Sequence, residues 1–334
     1  MLTVGVAAMA LPAFGAFAQS GADIYKGKTI TIVVGTGAGG AYGISAQLLA
    51  RYWPKRIPGE PAIIVQAMPG GGGMKMAGYL HNVAPPDGSV IGLAIQTVAM
   101  VQKLRPKEVK YDVRSWPWIG NMASLRQAIV VSPTAPARTF EDARKTETVI
   151  GATAKSGNLF MVPKMAKELA GANFKIVLGY RGGADLDKAM ASGETHGRGG
   201  SWESWKLLYP DIMKRDKLVP LALTGFEPDP AAPGVPLLRD LASKPLDKQV
   251  IDFFSRSDLI SRPYAAAPRT PRKIVDILRA SFAATVMDPT MAAEAAKRRI
   301  AMSPTSWQVL EKTALETLDT PDEVVKHMEA ILAR

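Results

Sequence analysis

Apolar positions along the chain follow two rhythms: short β-branched runs bounded by glycine, proline or charge, each followed by apolar residues spaced three and four apart. The first run, 29–34 (Thr-Ile-Thr-Ile-Val-Val), lies between Lys28 and Gly35 and predicts a buried parallel strand. Behind it Ile44, Leu48, Leu49 and Tyr52 predict a helix, which Pro54 stops. Residues 62–65 predict a second strand, leading through Pro69 and four glycines to a helix over 74–80. The turn Pro85-Pro86-Asp87-Gly88 announces a third strand at 90–95. This repetition predicts a parallel sheet with helices on both faces.

Residues 116–131 read as extended, with a strand at 128–131, and mark where the chain crosses into a second lobe. There the same grammar restarts: a strand at 149–150, a polar turn at 155–158, a helix over 159–169, a strand at 174–178 and a glycine loop at 179–183. Residues 193–202 read as irregular, 218–223 as a returning strand and 228–236 as a proline-rich surface loop. The last quarter reads as helical, with starts at Thr270-Pro271, Asp288-Pro289, Ser303-Pro304 and Thr320-Pro321, because proline suits the first helical position. Thr320 with Glu323 predicts a capping box. The expected organisation is an α/β protein of two lobes, 19–122 with 227–334 forming lobe I and 123–226 forming lobe II.

Composition narrows the function. With 334 residues, 47% hydrophobic and 21% charged, the chain is large enough and apolar enough for two such cores. Residues 1–18 carry no charge and end in Ala16-Phe17-Ala18, which predicts a signal peptide; Pro12 and the polar residues from Gln19 argue against a span of about 20 apolar residues. There is no cysteine, so disulfides, thiolate metal sites and a lipid-modified cysteine are excluded. The expected location is the periplasm. The three histidines are too scattered to suggest a metal site, and the net charge of +11 is spread without a basic-aromatic patch. That charge suits steering of a small anion better than nucleic acid, and no catalytic motif appears. The expectation is a binding protein without cofactor or metal, not an enzyme.

Two loops carry the candidate chemistry. Gly35-Thr36-Gly37-Ala38-Gly39-Gly40 matches the dinucleotide fingerprint, so a nucleotide-dependent oxidoreductase is the alternative. That fingerprint needs an acid at the end of the second strand, which here ends Val65-Gln66-Ala67. Glycines at a helix start also let backbone N–H groups approach any anion, a carboxylate included. Ala38, Gly39 and Gly40 in the first loop and Gly70, Gly71 and Gly72 in the second fall on one edge of a parallel sheet. In the second lobe the candidates are Ser156, Gly157 and Asn158 at a helix start, Tyr180 and Arg181 in a glycine loop, and His196, Arg198 and Ser201 in the 193–202 stretch. Each also has a plain reading as tight turn, N-cap, exposed arginine or structural histidine.

In order and spacing, Ala38-Gly39-Gly40, Met68-Pro69 with Gly70 to Gly73, Pro85-Pro86-Asp87-Gly88, Trp118-Ile119-Gly120 and the Gly179-Tyr180-Arg181-Gly182-Gly183 loop resemble landmarks of the Bug family, the solute-binding proteins of tripartite tricarboxylate transporters. The resemblance covers nearly all of the chain after the predicted signal. It implies a type II periplasmic-binding-protein (Venus flytrap) fold. A ligand carboxylate would be held near Ala38 to Tyr42, including Ala41, and near Gly70 to Gly72. The second lobe would read the rest of the ligand, and a monomer would deliver it to membrane permease subunits. Three positions depart from the family pattern: Gly43 replaces an aspartate, Ala67 an asparagine, and His196 an aspartate. The resemblance then implies an unusual ligand.

Overall fold

The computed structural model describes residues 24–153, 157–180, 182–212, 214 and 218–333. The predicted signal peptide therefore lies outside the described residues. In chain order the first half holds β1 (Thr29–Val34), α1 (Ala41–Tyr52), β2 (Ala62–Ala67), α2 (Met74–Asn82), β3 (Val90–Leu93), α3 (Val98–Leu104), β4 (Trp118–Asn121), β5 (Gln127–Val131), α4 (Phe140–Lys145) and β6 (Thr148–Gly151). Then follow α5 (Asn158–Ala170), β7 (Phe174–Val177), α6 (Gly183–Ala191), β8 (Gly197–Ser201), α7 (Trp202–Leu208), β9 (Val219–Leu223), α8 (Leu238–Leu241), α9 (Pro245–Arg256) and β10 (Pro263–Ala266). Helices α10 (Arg272–Val286), α11 (Pro289–Lys297), α12 (Trp307–Leu318) and α13 (Asp322–Ala333) close the chain.

These elements build two five-stranded sheets of matching design, ordered β2-β1-β3-β10-β4 and β7-β6-β8-β5-β9. In each, three strands are parallel and the fourth runs antiparallel to its neighbours. The two antiparallel strands are the ones that exchange: β5 follows the first crossing, and β10 returns after the second sheet is complete. Strand β10 had no predictor in the sequence, because Pro-Tyr-Ala-Ala neither alternates nor forms a β-branched run.

Packing explains the elements. In the first lobe Ile30, Ile32 and Val34 of β1 are buried with Leu48, Leu49 and Trp53 against Phe282 and Leu278. Each such burial contributes roughly 1.5–3 kcal/mol. The C-terminal segment is divided between two cores. Helix α10 joins the first sheet's core, whereas Val250, Phe253 and Phe254 of α9 and Val324 and Met328 of α13 pack with Ile129, Val131 and Phe174 of the second. Residues 227–334 therefore do not pack with lobe I as a whole.

Three local expectations are corrected. The 193–202 stretch is not irregular: residues 197–201 form β8, a central strand, because a Cβ at Gly197 would lie 2.5 Å from the Val130 carbonyl and only glycine permits the close approach to β5. Ser303-Pro304 starts no helix, since the Ser303 hydroxyl donates to the Ser124 carbonyl (2.7 Å) and accepts from the Ser124 N–H (2.9 Å), tying this segment to the crossing strand. Helix α12 begins after Ser306 instead. The Thr320 hydroxyl donates back to the Glu316 carbonyl at 3.4 Å, so the capping box with Glu323 is not its use.

Candidate functional site

Strands β1 and β2 are parallel and in register to their ends, with Val34 opposite Ala67, so both glycine loops leave the sheet at one edge. The second loop could not be built from other residues. Gly70, Gly71, Gly72 and Gly73 all have positive φ (143°, 54°, 61° and 93°), where a Cβ is strained. The loops also pack on each other, since a Cβ at Gly35 would meet the Gly73 Cα at 3.4 Å. The first loop ends at α1, whose N-cap Gly40 supplies no side-chain cap and whose first turn holds no acid. The N–H groups of Ala41 and Tyr42 are thus left to an external acceptor. Ala38, Gly39, Gly40 and Ala41 are exposed, as are Gly70, Gly71 and Gly72. Tyr42 is half-buried, its hydroxyl accepting from the Gln96 N–H at 3.0 Å.

Gly43 has a steric reason. A Cβ there would sit 2.1 Å from the Ala38 carbonyl oxygen, so the first loop folds over the space an aspartate would fill. At Gly39, by contrast, a Cβ meets nothing within 4 Å.

In the second lobe Gly157 caps α5 and Asn158 opens it, both half-buried at the carboxyl edge of β6. Ser156 and Arg181 lie outside the described residues. The other candidates are occupied by their own lobe. Tyr180 donates to Glu194 at 2.6 Å, and that bond pushes its phenol up to about 12. Ser201 caps α7, accepting from the Ser204 N–H at 3.2 Å. Arg198 is buried, donates to Asp187 from Nε at 2.8 Å and to the Gly199 carbonyl at 2.9 Å, and stacks 4.0 Å from the Trp205 ring centre. His196 precedes β8, at the strand end opposite Ser201, and its Nδ1 accepts from the Val149 N–H at 3.0 Å. His196 thus sits at the strand end away from the tips, whereas Arg198 lies opposite Gly151 at the carboxyl edge of β6, where a Cβ at Gly183, which opens α6, would be 3.8 Å from its Nη2.

Between the lobes lies a buried polar cluster that the sequence did not announce. The carboxyl of Asp258, on the segment crossing back from α9 to β10, accepts from the Thr224 hydroxyl of the second lobe and from Gln96 Nε2 of the first at 3.5 Å. Burial pushes Asp258 up to about 8, with the Glu203 charge adding to it; burial likewise raises Glu203 to about 7. Arg126 lies 3.9 Å from both Glu203 and Asp229. Backbone bonds zip the two crossing segments together: Leu125 N–H to the Asp258 carbonyl (2.9 Å) and Ser261 N–H to the Ala123 carbonyl (3.0 Å). These residues come from five separate stretches of chain without a shared motif, so only the fold reveals them.

Among the described residues no group of three or more histidine, aspartate or glutamate side chains could hold a metal, and no helix is long and apolar enough to cross a membrane. The dinucleotide alternative meets two obstacles. Strand β2 ends in Gln66-Ala67 without a carboxylate, and β1 sits between β2 and β3, whereas the dinucleotide fold places β2 between β1 and β3.

No family model matches the chain. It is 26% identical over 249 residues to the "UPF0065 protein in gbd 5'region" of Cupriavidus necator, covering 72% of each chain. Its fold is similar to that of a TctC solute-binding protein from Polaromonas, with a TM-score of 0.68 at 19% identity over 92% of this chain and 99% of that one. It is also similar to an R. palustris protein solved with adipate, with a TM-score of 0.64 at 19% identity over 90% and 97% of the two chains. The two-lobed α/β fold is thus that of periplasmic solute-binding proteins, as the sequence resemblance implied.

Proposed function

We propose that this chain is a periplasmic solute-binding protein, not an enzyme, which captures a small carboxylate between its lobes and delivers it to the permease of a tripartite tricarboxylate-type transporter. The observation that carries the reading is the first lobe's tip: four consecutive left-handed glycines beside the uncapped, acid-free start of α1. Such a surface offers backbone donors and a positive helix end to one negative group. The likeness to the TctC protein and to the fold solved with adipate supports it. Ala38 to Tyr42 and Gly70 to Gly72 would hold the carboxylate, with Gly157 and Asn158 facing it from the second lobe. Ser156 and Arg181 keep their place as candidates from sequence. Hinged closure of the lobes would mark the loaded state for the permease, and the protein would act as a monomer.

The test is a thermal-shift screen of the chain after the predicted signal against di- and tricarboxylates, amino acids and aromatic acids. A ligand of the folded state alone raises the melting temperature. One or a few acids should do so in wild type and none in Gly39→Val, whose Cβ enters open space at the donor surface. A flat screen would sink the proposal, and retention of NADPH in equilibrium dialysis would revive the oxidoreductase reading.

A further inference from the structure

Beside the tip, where the flank of α1 meets α7 of the second lobe, is a cavity of about 130 Å³. Its walls include Ala41 and Ser45 of α1, Ser204 of α7, and three arginines, Arg262, Arg298 and Arg299, without any carboxylate. Arg262 is the anomaly. It is only 8% exposed; Nη1 donates to the Ser261 carbonyl at 2.6 Å, the guanidinium lies 3.9 Å from the Tyr42 ring centre, and Nε has no partner. A buried guanidinium is costly unless its donors are met, and one carbonyl with one ring leaves most of its five N–H groups unanswered. Arg298 is paired with Glu294 at 2.7 Å, but Arg299 has no ion-pair partner among the described residues and is held at a left-handed φ of 57°.

We infer that this cavity is an oxoanion subsite anchored by Arg262, which takes a second negative group of the same ligand whose first carboxylate sits on the α1 tip. The inference rests on the solute-binding reading. A guanidinium fork matches the paired oxygens of a carboxylate or phosphate, and Arg299 adds charge at the mouth. Ser204 belongs to the other lobe, so a filled subsite ties the lobes together and couples recognition of the second charge to closure. Arg262 thereby sets specificity.

Calorimetric titration with matched acids tests this: butyrate against succinate, hexanoate against adipate, and inorganic phosphate alone. Wild type should bind at least one diacid tenfold or more tighter than its matched monoacid. Arg262→Gln should cut that preference to within threefold, the loss falling on the diacid. The exposed Arg299→Gln should weaken it in the same direction and serves if Arg262→Gln fails to fold. Equal binding of mono- and diacids, or a preference surviving in both variants, overturns the subsite and leaves the solute-binding reading intact. Phosphate binding that needs Arg262 without any diacid preference also overturns it, since the anion is then not part of the ligand. Failure of every acid to bind overturns both.

Discussion

The two lobes share one strand order but treat their polar groups in opposite ways. In the first, the tip is nearly bare of functional side chains and its donors are backbone N–H groups left open by glycine and by an uncapped helix. In the second, the side chains that look most chemical are already engaged: Tyr180 by Glu194, Arg198 by Asp187, Ser201 by Ser204 and His196 by Val149. Residue type alone is thus a poor guide to a binding surface. What matters is whether a donor or acceptor remains unanswered once its own lobe has folded.

The contrast can be broken by substitution. The largest effect is expected from Gly43→Asp, which drives a Cβ into the Ala38 carbonyl. Overpacking of this kind costs about 3 kcal/mol or more. That should lower the melting temperature by roughly 6 °C or more. A variant melting with wild type would show that the first loop moves freely, and would remove the steric reason for Gly43. Next, Gly72→Ala, at φ 61°, should cost about 1–2 kcal/mol in denaturant unfolding. Gly157→Ser, at φ −102° on the N-cap of α5, should gain a few tenths of a kcal/mol. Lobes of opposite character predict that sign change; two losses would contradict it.

At the joint between the lobes the expected signature is a pH trend. Asp258 and Glu203 are raised from 3.8 and 4.5 to about 8 and about 7. Between those values the native state holds more protons than the unfolded one, so these groups make stability fall as pH rises from 4 to 8. Their penalty is absent below about 4 and complete above about 8. Asp258→Asn removes one titration, so its melting temperature should gain on wild type by several degrees between pH 5 and pH 8.5, measured by calorimetry. A constant offset would mean that Asp258 keeps an ordinary carboxyl pKa. The smallest effect belongs to Tyr180→Phe, which should change ligand affinity by less than twofold, because the hydroxyl it loses serves Glu194.

Much of the fold could be read from the chain. The run 29–34 is β1 to the residue, and the restart near 149 marks the second sheet, because buried β-branched runs carry their own signal. Strands β8 and β10 could not be read, since glycine and alanine become strand only when neighbouring elements demand close approach. The first lobe's tip was legible because positive φ requires glycine, and glycine is visible in a sequence. Arg262, Asp258 and Gln96 were not, because each gains meaning from a partner more than 100 residues away in the chain. For His196 the histidine chemistry was visible, and its backbone partner Val149 was not.

The exchange of strands between the sheets sets an order for folding. Strand β4 reaches the first sheet only through β10, and β10 is made after the whole second sheet. Until residue 266 has been synthesised, β3 presents an unpaired edge and the first lobe has only its parallel triplet of strands. Closing that gap joins segments separated by about half the chain, a slow step of high contact order. Such a nascent chain keeps its first sheet open for most of its synthesis.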